Sequence, residues 1–343
     1  MAAKTRSLDV SKLTIVPFWG WSPNKEFFVT PSLNLGHGFS VEMADRLLST
    51  MQPSYTEHLS RGQIKEVQRW SLSLVHRYRA PTKGREKPDS LTMVKYVLAH
   101  LRFIVPNRTA AGDYLQLEEY KTGKFRAEGY VTFWATHPVR LSDHEQHFHS
   151  GIGPEALATL RAWLPWIVRF AKNPETFFPL YLSMQLSEKA FHESDSRTRH
   201  LFNVMALEAL LSSEHLYGKA ALTKWLPKLL GPVADLYEPY RPAPFHDFPF
   251  TAQMPVLPLT EDLIRDICTL RNKIAHGSPI PHKWEVRTES RRGEMGLLLD
   301  YAVILSEAAS ATVRLTWLKI MQDKLQLVFS DKNKMEDYLR KLQ

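Results

Sequence analysis

Two patterns of apolar and polar positions divide the chain near residue 150. Before it, short runs rich in β-branched and aromatic residues alternate with segments of helical spacing. "KLTIVPFWGW" (12–21) and "EFFVTPSLNL" (26–35), bounded by Gly, Pro and Asn, predict strands. "VEMADRLLSTM" (41–51) and "RGQIKEVQRWSLSLVHRY" (61–78) space their apolar residues more like helices, and "SLTMVKYVLAHLRFIV" (90–105) predicts another. "YLQLEEYKTGKFRAEGYVTFWAT" (114–136) predicts a hairpin turning over Lys121–Lys124, with Gly123 free to take a positive φ. Residues 1–150 thus read as a smaller α+β domain.

After residue 150 the period is almost entirely helical. Pro154 and Glu155 suit a first helical turn, where proline loses no hydrogen bond. Helices are expected near 154–171, 174–191, 195–213, 218–230, 260–276, 292–320 and 331–342. The fold class is therefore mainly α, with a helical domain over 151–343 behind the α+β one. The exception is "GPVADLYEPYRPAPFHDFPFTAQMPVLPL" (231–259), where repeated proline predicts a long irregular loop. Its aromatic side chains pack onto the surface, stack on bases, or cover a partner.

Charge narrows the partner. A net charge of +8 and a pI near 9.4 favour polyanions, nucleic acid first. The excess is spread out, as in "VHRYRAPTKGREK" (75–87) and "VRTESRRGE" (286–294). A single cysteine, Cys268, excludes a disulfide within the chain and suits a reducing compartment. It lies in an apolar helical pattern and reads as buried and inert. The first residues carry no apolar signal segment, and no apolar run approaches the roughly 20 residues that span a bilayer. The expected state is soluble and cytoplasmic.

Several constellations could carry chemistry. His144, His147 and His149 in "DHEQHFHSG" have the wrong spacing for the helical zinc hydrolases; they read as a solvated loop, or as a strand-borne metal site. The glycines of "GHGF" and "GIG" make no phosphate loop, since no Gly-Lys-Ser/Thr follows. "RNKIAHGSP" is richer. On a helix Asn272 and His276, four apart, share a face, and the long Arg271 side chain can bend to it. Ile274 belongs with Leu263, Ile267 and Leu270 on the core side. Gly277 suits the helix stop, and Pro279 prevents continuation. His276 then stands at the negative end of the helix dipole, where a cation is favoured. Arg271 supplies a permanent forked cation suited to phosphate. Such a trio handles a ribose phosphodiester without metal or cofactor. It is equally an ordinary helix end, where basic residues bond to free carbonyls.

"RNKIAHG" resembles the R-x4–6-H signature of HEPN domains, in the R-N-x-x-A-H-G form of the ApeA-like branch. The helix "RHLFNVMALEALLSS" (199–213) before it and the long "GLLLDYAVILSEAASATVRLTWLKI" after it are similar too, so the resemblance covers roughly 150–325. It implies a helical bundle that pairs with a second copy, bringing two motifs to one cleft. It implies metal-independent RNA cleavage, as used by toxins and antiviral defence systems; some members are non-catalytic binding modules instead. By position, Arg271, Asn272 and His276 would be catalytic. Glu208 in "ALEAL" would support Arg271, or is simply a polar break in a buried helix. Lys273, Arg291 and Arg292 would add RNA contacts. Surplus apolar residues in "LLLDYAVIL" and "LQLVF" suit a homodimer. The N-terminal half would sense a trigger, such as a phage component, hold a regulatory protein, or gate the cleft.

Overall fold

The computed structural model describes residues 10–17, 32–43, 72–80, 89–104, 114–121, 124–131, 154–193, 195–233, 258–280 and 301–342. The chain divides into two compact units, Met1–Lys172 and Asn173–Gln343. The helix from Pro154 therefore belongs to the first unit, not to the helical region that the sequence pattern starts at 151. The two units are near-equal in length.

The first unit holds β1 (Val10–Pro17), β2 (Ser32–Gly36), β3 (Phe39–Met43), β4 (Leu72–Ala80), β5 (Tyr114–Lys121) and β6 (Lys124–Val131). They form one antiparallel sheet in the order β2-β3-β4-β1-β5-β6. Helices α1 (Ser90–Ile104) and α2 (Pro154–Lys172) pack on each other; α1 contacts β1 and β4, and α2 contacts the edge strand β2. The first turn of α1 is docked by polar groups. The Ser90 hydroxyl bonds to Thr14 Oγ1 at 2.8 Å and to His76 Nδ1 at 2.7 Å, all three residues buried. Burial pushes His76 down to about 4, so it docks as a neutral ring.

Two sequence expectations fail here. Residues 72–78 are strand, not helix, because β4 pairs with β1 on one side and β3 on the other. Val41–Met43 lie in β3. Cross-strand pairing overrides the local spacing. The "GHGF" glycines make the β2–β3 turn. Gly38 has φ +82, and a Cβ there would sit 2.2 Å from the Arg77 carbonyl oxygen. The Arg77 N–H donates to Gly38 O at 2.8 Å, so β4 runs hard against the turn and only glycine fits. The β5–β6 hairpin closes on the pair Lys121 and Lys124, as its sequence predicts; Gly123 lies outside the described residues.

The second unit follows a 3-10 turn (Pro174–Phe177) with α3 (Phe178–His192), α4 (Ser196–Leu211), α5 (Gly218–Leu230), α6 (Glu261–Ala275), α7 (Tyr301–Gln322), α8 (Gln326–Phe329) and α9 (Lys332–Lys341). Helix α4 is its hub, contacting α3, α5, α6, α7 and α9. Hence it buries residues around much of its girth, among them His200, Val204, Leu207, Leu210 and Leu211. Trp225 and Trp317 anchor the core, and Trp317 Nε1 donates to Ser183 Oγ at 3.1 Å. The "LQLVF" stretch is mostly consumed inside the unit: Leu325 and Phe329 are buried, and Leu327 is 57% exposed. The Lys332 ammonium donates to the Ala209 carbonyl, one of the oxygens left open at the end of α4. Lys228 Nζ donates to Leu342 O at 2.8 Å. Among the described residues no helix is long and apolar enough to cross a membrane.

Candidate functional site

Helix α6 carries the candidate residues, and its sequence defines both of its ends. Thr260 Oγ1 accepts the Leu263 N–H at 3.2 Å, and Glu261 and Asp262 occupy the first turn, where the dipole favours acids. Leu263, Ile264, Ile267, Cys268 and Leu270 are buried. At the far end the Gly277 N–H bonds Ile274 O at 3.2 Å and the Ser278 N–H bonds Lys273 O at 2.8 Å. With Gly277 at φ +61 this is a Schellman stop. His276 is the cap residue; its N–H donates to Asn272 O at 3.0 Å, and its side chain is exposed. Asn272 is exposed one turn earlier.

Arg271 lies between surface and core, 27% exposed. Its Nη2 donates to Glu208 Oε2 of α4 at 2.9 Å, and its Nη1 to Asn272 Oδ1 at 3.0 Å. Its Nε is buried without a hydrogen-bond partner among the described residues. Both arms of the guanidinium fork are thus held. The Asn272 amide oxygen is spent on Arg271 rather than on the imidazole. Lys273, expected to contact RNA, donates to Pro279 O at 3.0 Å and braces the chain leaving the helix. Ile274 is half-buried rather than in the core. Arg291, Arg292, His144, His147, His149 and residues 234–257 of the proline-rich loop lie outside the described residues. Among those described, no group of three or more His, Cys, Asp or Glu is placed to hold a metal ion.

The electrostatics of the site are set by burial. Burial raises Glu208 above the ordinary carboxylate value; Arg271 pulls it back, and burial wins. Burial, helped by Glu208, pushes the Cys268 thiol up to about 12, so it stays protonated and is a poor nucleophile. A second tie joins the two helices: His200 Nε2 bonds Ile267 O at 2.9 Å. Burial pushes His200 down to about 4, so the ring is neutral and carries its proton on Nε2 for that bond.

One neighbour escaped the sequence reading. The other Glu208 oxygen faces the start of α5, where a Cβ on Gly218 would lie 3.8 Å from Oε1. Tyr217 precedes Gly218 and Lys219 follows it, both exposed. The Lys219 charge also acts on the Cys268 thiol, which places it near the same cluster. The signal was present in "LYGKAAL": a helix start with no Ser, Thr, Asp or Asn cap and a lysine in the first turn, against the dipole. Chemically, the site presents a fixed guanidinium and an exposed imidazole five positions along one helix. Compared with known proteins, the chain matches no family model, no curated protein and no solved structure at a significant level.

Proposed function

We propose that the chain is a metal-independent endoribonuclease of the HEPN type, acting as a toxin-like or antiviral defence effector. The observation that carries this reading is the exposed end of α6. There Arg271 is held by Glu208 and Asn272 while His276 stands free of the core on the same helix. His276 would move a proton at the RNA 2′-hydroxyl or the leaving 5′-oxygen. Arg271 would stabilise the charge that develops on phosphorus-bound oxygens. Asn272 and Glu208 act on the guanidinium and limit its motion, which reduces the cost of orienting it during reaction. A second copy meeting this surface would double the cationic groups in one groove.

The alternative, a HEPN module that binds a partner protein or nucleic acid without cutting, draws on one feature. Each arm of the Arg271 fork already has a protein acceptor. The test uses purified full chain with labelled single-stranded RNA and tRNA in EDTA. Cleavage by wild type that leaves 2′,3′-cyclic phosphate ends and is lost in both Arg271→Ala and His276→Ala is the expected result. Binding without cleavage selects the module, and EDTA-sensitive cleavage that survives His276→Ala overturns both.

A further inference from the structure

We infer that Tyr217 and Lys219, at the head of α5, form the binding platform for a nucleotide of single-stranded RNA next to the cleaved phosphodiester: Tyr217 stacks its base and Lys219 meets its phosphate. This rests on the ribonuclease reading and extends it to substrate class.

Four observations lead there. The first is position: Gly218, between the two residues, abuts the Glu208 carboxylate whose other oxygen holds Arg271. The second is exposure. Tyr217 is 74% exposed, more than any other exposed large hydrophobic among the described residues. An aromatic ring left in water beside a cationic site is the pattern of a stacking surface. The third is rigidity. Ser213 N–H bonds Leu216 O at 2.8 Å, Leu216 N–H bonds Ser213 Oγ at 3.1 Å, and Gly218 N–H bonds Ser212 Oγ at 3.3 Å. The turn that presents Tyr217 is therefore ordered, so little freedom is lost when a base lands on it. The fourth is charge. Helix α5, "GKAALTKWLPKLL", carries three lysines and no acid. Lys224 lies over the Trp225 ring at 4.5 Å and Lys228 holds Leu342 O, which leaves Lys219 at the site end. Around the Glu208 carboxylate stand Arg271, Lys219 and the positive end of α5, while Glu214 lies in the turn itself and Glu336 bonds Ser213 beside it; Lys219, in the first turn of the helix, is the cation that an added anion meets.

An anion beside an aromatic face describes a nucleotide better than a protein segment. The strand must be single, because a paired base is stacked on its neighbours and cannot reach the ring.

The test measures binding and cutting separately on the full chain. A fluorescent single-stranded RNA 12-mer and the same sequence in a hairpin stem are titrated in EDTA against wild type, Tyr217→Ala, Tyr217→Phe and Lys219→Gln. Cleavage is scored in parallel, with His276→Ala as control. Tyr217→Ala is expected to weaken single-strand binding about 10-fold, the order of one base–aromatic stack, and Tyr217→Phe to restore it. Lys219→Gln is expected to lower the slope of log affinity against log salt by about 0.7. Stem binding should be weaker and indifferent to Tyr217. Unchanged single-strand affinity in Tyr217→Ala, with wild-type cleavage intact, overturns the platform and leaves the nuclease reading standing. Tyr217-dependent binding without cleavage supports the platform and overturns the nuclease. No RNA binding by wild type overturns both.

Discussion

Replacing Glu208 by glutamine or by alanine separates two roles of the Arg271 pair, holding the fold together and holding the guanidinium still. Glu208 is 19% exposed and Arg271 27%, so each ion has given up much of its hydration. Burial raises Glu208 by more than Arg271 lowers it, which means that the ionised carboxylate is a net cost to the folded state. A carboxyl whose folded pKa lies above its unfolded value stabilises fully only below the unfolded value, 4.5 here, and that benefit is lost as pH rises through the folded value. Glutamine keeps an oxygen near Nη2 without the charge. At pH 7 Glu208→Gln should therefore match wild type within about 1 kcal/mol, or exceed it, with the difference growing as pH rises above 4.5. Alanine leaves Nη2 without its acceptor and should cost about 1–3 kcal/mol. At roughly 2–4 °C per kcal/mol for a unit of this size, the thermal midpoint falls by about 2–12 °C. A hydrogen bond to a neutral oxygen is about half as strong as one to a carboxylate. The glutamine variant should accordingly lose about 10-fold in RNA cleavage while remaining as stable as wild type, about 1.4 kcal/mol of transition-state stabilisation. Thermal unfolding and hydrogen exchange across α4 and α6, each at several pH values, give the stability arm. If Glu208→Gln loses more than about 2 kcal/mol at pH 7 with no pH dependence, the pair is a net stabiliser and the reasoning fails.

Other perturbations test other parts. His200 is buried and neutral with its value pushed from 6.5 to about 4, so its stabilising contribution is lost as pH falls from 6.5 towards 4. The whole effect is about 3 kcal/mol at most, and His200→Gln should flatten the acid limb of denaturant midpoints against pH. Gly38→Ala should cost upwards of about 2 kcal/mol, because positive φ and a 2.2 Å clash with backbone act together. Gly277→Ala has φ +61 but open space around the new Cβ, so calorimetry should show a loss of only about 1 kcal/mol. Trp317→Phe keeps most of the packing but leaves Ser183 without the indole N–H, and should lower the melting point by an amount equivalent to about 1–2 kcal/mol.

The helices were legible where the chain states its own boundaries. Helix α6 falls within a residue of 260–276 at each end, because Thr260 and Gly277 act within a few residues of the helix they bound; α5 matches 218–230 through its apolar spacing, although its start has no polar side-chain cap. Strand β4 was not legible, because its state depends on β1 and β3, partners far away in sequence. The site divides the same way. Asn272 and His276 share a helix face by periodicity alone. Glu208 meets Arg271 across 63 positions, and spacing does not say which face of α4 meets α6; in the sequence only the likeness of "ALEAL" to a family helix points to Glu208. Gly218 depends on a third helix, and only its anomalous cap hinted at it.

Arg271, Asn272 and His276 ride one rigid element, five residues or about 7.5 Å of helix rise from first to last. Among the described residues, Glu208 of α4 is the side chain that bonds one of them, Arg271, from another helix. Sliding or tilting of α4 against α6 would leave the distance between arginine and histidine untouched, while it would shift the acceptor that aims the guanidinium and load the His200–Ile267 tie. A displacement of about an ångström would take the 2.9 Å Glu208 bond beyond hydrogen-bond range and leave the arginine loose.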